Sequence, residues 1–83
     1  MADFKVGRVT HYYDQIGVAV VELIANLAVG EKVKVTGKTH EFEMIVGSMQ
    51  IEHETIQEAK KGQIVGMKVE QPVKEGDELY RVG

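Results

Sequence analysis

Lys32-Val33-Lys34-Val35-Thr36 alternates strictly between polar and apolar residues. Side chains of a strand point alternately to opposite faces, so this run predicts a half-buried strand with its lysines outward. Val6-Gly7-Arg8-Val9-Thr10-His11-Tyr12-Tyr13 predicts a first strand and Asp14-Gln15 a turn. Ile16 to Leu23 predicts a second strand with little alternation, as expected where both faces are covered. Ile24 to Gly30 reads as a loop. Phe42, Met44 and Val46 then share one strand face, but after Gly47 the apolar positions become Met49 and Ile51. Such a slip sends side chains to the opposite face unless a bulge absorbs it, so a bulge or sharp bend is expected at Gly47-Ser48. Thr55 to Lys61 is the one helix-like piece, with Thr55 as cap and Glu58 as its capping-box partner. Gln63 to Glu70 predicts a strand with Val65, Met67 and Val69 on one face; Pro72 breaks it, and Glu78 to Val82 predicts the last strand.

One short pattern occurs three times: Gly30-Glu31-Lys32-Val33, Gly62-Gln63-Ile64-Val65 and Gly76-Asp77-Glu78-Leu79. Each predicts a loop whose glycine supplies a positive φ just before the chain re-enters a strand. The spacing is too irregular for a solenoid repeat.

Composition agrees with this reading. Thirteen Val and six Ile outnumber three Leu, and β-branched side chains favour strands. Nine Gly and one Pro fit many tight turns. The 83 residues, with no linker, predict a single all-β domain over residues 1–83. Short strands joined by glycine turns point to a closed barrel or a sandwich.

With no Cys, disulfides, thiolate zinc sites and cysteine catalysis are excluded. The N-terminal residues show no signal-peptide pattern, and the longest apolar run, Ile16 to Val21, is too short to span a membrane. A cytoplasmic protein without a membrane partner is the expectation. The net charge of −3 argues against a nucleic-acid binder that works mainly through phosphate contacts.

Candidate chemistry is sparse. His53, between Glu52 and Glu54, is either a titrating contact or a solvated strand end. His11, His40 and His53, with Glu41, Glu43, Glu52 and Glu54, have no recognised metal spacing, so scattered surface histidines are the preferred reading and no metal is expected. Tyr12 and Tyr13, beside Arg8 and His11, offer a stacking face for a base or divide into one core and one rim tyrosine. Lys32, Lys34 and Lys38 either touch RNA phosphates or discourage strand addition. Ser48 is the only serine and has no motif around it. No catalytic residue is assigned and no cofactor is expected.

Several of these stretches, taken together, resemble one family. They are Gly7-Arg8-Val9, Gly17-Val18-Ala19-Val20, Leu27-Ala28-Val29-Gly30-Glu31-Lys32-Val33, Ser48-Met49-Gln50-Ile51-Glu52-His53, Glu58 to Val69, and Val73-Lys74-Glu75-Gly76-Asp77-Glu78-Leu79. In this order they resemble the second domain of translational GTPases of the elongation factor Tu type. Small stand-alone translation-factor-like proteins are similar, as is the C-terminal barrel of peptidase U32-type proteins, several of which act in RNA modification. The resemblance implies a six-stranded closed Greek-key β-barrel. It also implies that the strand from Met49 to His53 helps form a pocket for the aminoacyl end of tRNA. In the family a basic residue commonly sits near the end of that strand, where this chain has Glu52-His53-Glu54. No P-loop pattern is present, so the chain is not itself a GTPase.

The expected function is a non-enzymatic binding module contacting RNA, tRNA or the ribosome. Its candidate binding residues are Arg8, Tyr12, Lys32, Lys34, Gln50, Glu52 and His53. The alternative is a protein-interaction domain acting in trans with a larger enzyme, such as an RNA-modifying one.

Overall fold

The computed structural model describes residues 4–38 and 40–82. Among them are ten strands and no helix: β1 (Phe4–Tyr13), β2 (Val18–Leu23), β3 (Leu27–Ala28), β4 (Lys32–Thr36), β5 (Glu41–Ile45), β6 (Met49–Ile51), β7 (Glu54–Ile56), β8 (Glu58–Ala59), β9 (Ile64–Lys68) and β10 (Glu78–Arg81). Eight pair antiparallel in the order β5-β4-β10-β1-β2-β9-β6-β7, while β3 pairs with β8 apart from them. The ladder does not return on itself. The all-β class stands, but the pairing gives an open eight-stranded order rather than a closed ring of six.

The alternation of β4 behaves as its sequence predicts. Val33 and Val35 are fully buried and the lysines lie outward. Val65, Met67 and Val69 likewise face inward from β9 and its end. They join Val6, Val9, Val21, Leu23, Met49 and Leu79 in one core. Burial of such side chains is the main favourable term in folding.

The three glycine patterns fold into one repeated device. Ala28–Glu31, Lys60–Gln63 and Lys74–Asp77 each close a four-residue turn, the last N–H bonding the first C=O at 3.0–3.2 Å. Gly30, Gly62 and Gly76 occupy the third position with φ of 96°, 90° and 93°, the signature of a type II turn. The residue after each glycine, Glu31, Gln63 or Asp77, folds its side chain back to accept from the first N–H at 2.8–2.9 Å. Each turn is then stapled to a strand end or strand interior. Gly30 N–H donates to Val46 O and Val46 N–H to Glu31 O; Gly62 and Gln63 do the same with Leu23, and Gly76 and Asp77 with Val9. A buried side chain flanks each turn on both sides: Leu27 and Val33, Ala59 and Val65, Val73 and Leu79.

Some local readings are corrected. Thr55 to Lys61 is not helical; it carries β7 and β8. Met49 pairs with Ile56 and Leu27 with Ala59, and these tertiary pairings outweigh the local capping pattern. The second strand starts at Val18, because the turn after Tyr13 extends through Gly17. The predicted loop from Ile24 to Gly30 contains β3. The parity slip at Gly47-Ser48, expected as a bulge or sharp bend within a strand, is absorbed by a connection: Val46 and Met49 are both buried, and the chain crosses from β5 at one edge of the ladder to β6, next to the other edge.

Candidate functional site

Two concavities are formed by the described residues. The larger, about 540 Å³, lies between the β4–β5 connection and the Lys74–Asp77 turn. Its centre is Asp77, the buried charged residue among those described, which is only 5% exposed. His40 Nε2 lies 2.8 Å from Asp77 Oδ2, and the Lys74 N–H donates to the same oxygen at 2.9 Å. An ionised carboxylate only accepts, so the imidazole donates through Nε2. Gly37 packs tightly against this pair: a Cβ there would stand 2.7 Å from Asp77 Oδ1 and 3.0 Å from the His40 ring. Two acids on the rim are also engaged. Glu75 lies 3.4 Å from His11 Nδ1, and Glu78 accepts from Lys5 at 2.7 Å. The Lys5 hydrogen bond, followed by that from the Tyr80 hydroxyl, holds the Glu78 carboxyl below its ordinary range. The same contact with Glu78 raises the Tyr80 hydroxyl above its ordinary value.

The smaller concavity, about 300 Å³, is a groove on the outer face of β2, β9 and β6. It is lined by Tyr13, Ile16, Val18, Val20, Gln50, Glu52, His53 and Gly66. The register explains the grouping: Val20 pairs with Gly66, and Gly66 with Gln50, so these residues form one row across three strands. Tyr13 and Ile16 are 50% and 59% exposed. Gly66 leaves a notch in the row, since an added Cβ would meet Val18 Cγ1 only at 3.4 Å.

The structure divides the seven sequence candidates. Gln50, Glu52 and His53 come together on the groove. Tyr12 is half-buried against the core, and its neighbour Tyr13 supplies the exposed ring, which meets His11 with centroids 4.4 Å apart. Arg8 lies outward on β1, 3.4 Å from Glu22. Lys32 is 3.0 Å from Glu43. Lys34 lies opposite Tyr80 on one side and Glu43 on the other. His11, His40 and His53 are held in different places, and no group of three or more metal-ligating side chains is assembled among the described residues. Nothing local in the sequence pairs His40 with Asp77, because thirty-seven positions separate the two residues. The one local signal was Asp77 in the Gly-Asp turn.

No protein-family model matches the chain. It is 42% identical over 77 residues to Uncharacterized protease MJ0090 of Methanocaldococcus jannaschii. That match covers 92% of this chain and 19% of the relative, so the chain spans about a fifth of the length of the curated relative it matches. Two crystal structures of the C-terminal domain of a Geobacillus thermoleovorans protein, described as a U32 peptidase, share the fold. One superposes with a TM-score of 0.89 over 98% of this chain and 93% of that one. The selenomethionine variant gives 0.86 over 90% and 95%. Both are 23% identical to this chain. The fold is therefore that of a U32 peptidase C-terminal domain.

Proposed function

We propose that this chain is a non-catalytic protein-interaction domain that works with a larger enzyme of the U32 type. The observation that carries this reading is that the chain matches, at 42% identity, a segment that makes up about a fifth of its relative. Its fold neighbours are domains cut from the C-terminal end of a larger protein. On this reading the chain contributes contacts and no chemistry of its own.

RNA or ribosome contact, the function that translation-factor resemblance suggests, draws less support. Arg8 and Lys32, two of the cations it would enlist, already face Glu22 and Glu43. Exposed pairs of this kind are weak, yet they lower the positive potential a phosphate would meet.

The test is an affinity pull-down from native extract with this chain as bait, with and without nuclease. Retention of a U32-type enzyme after nuclease treatment is the expected result. Recovery of ribosomal proteins or tRNA that disappears with nuclease would overturn the reading.

A further inference from the structure

The β6–β7 hairpin breaks a local rule. Ile51 and Glu54 pair across a two-residue loop, Glu52-His53, and both loop residues have positive φ, 51° and 69°. Two-residue loops with positive φ at both positions are type I′ turns, which asparagine and glycine ordinarily fill. Neither Glu nor His relieves the backbone strain there, and both line the groove. Side chains kept at a strained position are a recurrent mark of contact sites.

We infer that this groove docks an extended segment of a partner protein carrying an aliphatic side chain flanked by lysine or arginine. The inference rests on the interaction-domain reading and names its contact face. The floor is apolar: Val18 and Val20 are half-buried, and Gly66 carries no side chain between them and Gln50. Tyr13 and Ile16 stand exposed at one wall. A space of about 300 Å³ suits one aliphatic side chain with part of its backbone. Gln50, exposed on β6, offers an amide that can both donate to and accept from that backbone.

Charge selects the class of partner. Glu52 lines the groove and Asp14 stands between Tyr13 and Ile16 in the chain, while Glu54 pairs with the core-packed Ile51 and so belongs to the opposite face. Neither Glu52 nor Asp14 forms an ion pair among the described residues. The neighbouring cation is Lys68, whose Cε lies 3.9 Å from where a Gly17 Cβ would be. Two carboxylates without an ion pair against one ammonium leave this wall of the groove negative, which repels a phosphate backbone and attracts a basic segment.

The experiment is a backbone amide NMR titration of the full chain with three probes. One is a short peptide with Leu between Arg and Lys, the second has Leu between two Glu, and the third is a single-stranded RNA oligonucleotide. The basic peptide should give saturable shifts at Tyr13, Val20, Gln50 and Gly66, with the acidic peptide about tenfold weaker. Gly66→Val, which fills the notch, should abolish the shifts. Ile16→Lys, a change at an exposed turn position, should weaken them comparably. Equal binding of both peptides, no saturation at these amides, or RNA binding there in place of peptide would overturn the inference. A basic peptide seated in the groove while no U32-type enzyme is retained from extract would leave the groove standing and remove the enzyme as partner. An enzyme that binds Gly66→Val and Ile16→Lys as well as wild type would keep the enzyme and remove the groove.

Discussion

The concavity around His40 and Asp77 and the groove beside Glu52-His53 are built on opposite terms. In the first, the central carboxylate is satisfied by an imidazole and a backbone amide, and the rim acids Glu75 and Glu78 have partners. Gly37 leaves no slack beside it. In the second, acids have no ion pair among the described residues, apolar side chains face outward, and the backbone is strained. The larger space is a joint that fastens the β4–β5 connection to the Lys74–Asp77 turn. The smaller space is the one we propose as a docking groove.

Substitutions should separate the two. Asp77→Ala leaves the His40 ring and the Lys74 amide without their acceptor. Breaking a buried pair from one side should destabilise the fold by about 3 kcal/mol, read as a lower midpoint in urea unfolding. Gly37→Ala forces a methyl group against the same carboxylate and should lose about 2 kcal/mol by the same measurement. A loss below about 0.5 kcal/mol for both would show that the joint is not structural.

The hairpin should respond with the opposite sign. Glu52→Asn combined with His53→Gly fits the turn geometry and should raise stability by about 1 kcal/mol, seen as a higher thermal midpoint. The same double variant should bind the basic peptide less well. Greater stability together with undiminished binding would mean that the strain serves no contact. Ile16→Lys should change stability by less than about 0.5 kcal/mol, because the residue is 59% exposed.

The smallest effect concerns pH. Glu78 titrates below its ordinary value of 4.5 because Lys5, and then Tyr80, hydrogen-bond its charged form. A depressed folded-state value contributes stability that is present above about pH 4.5 and is lost as pH falls through the folded value. The group is exposed, so salt should weaken the contribution. Carboxyl-carbon NMR should place the Glu78 midpoint below that of an unpaired glutamate, and Lys5→Met should move it upward.

How much of this was legible depended on the range of the interaction concerned. Strand β4 was delimited from Lys32 to Thr36 by alternation alone, which the pleat enforces residue by residue. The positive φ at Gly30, Gly62 and Gly76 was readable for a similar reason, since the turn and its side-chain bond both lie within four residues. What was not readable was which strand each turn would staple: Val46, Leu23 and Val9 are distant in sequence. Thr55 to Lys61 misled because its capping pattern is local, whereas the pairings of Ile56 and Ala59 are not. Gln50, Glu52 and His53 are candidates on the sequence alone. Their meeting with Val18, Val20 and Gly66 required the β2–β9–β6 register.

The central claim is that this chain binds a protein through the outer groove. Its most direct test is a nuclease-treated pull-down from native extract, run in parallel with wild type and Gly66→Val after confirming equal thermal midpoints. The account predicts that wild type retains a U32-type enzyme and that Gly66→Val does not. Retention by both proteins, or a wild-type partner that vanishes with nuclease, would contradict it.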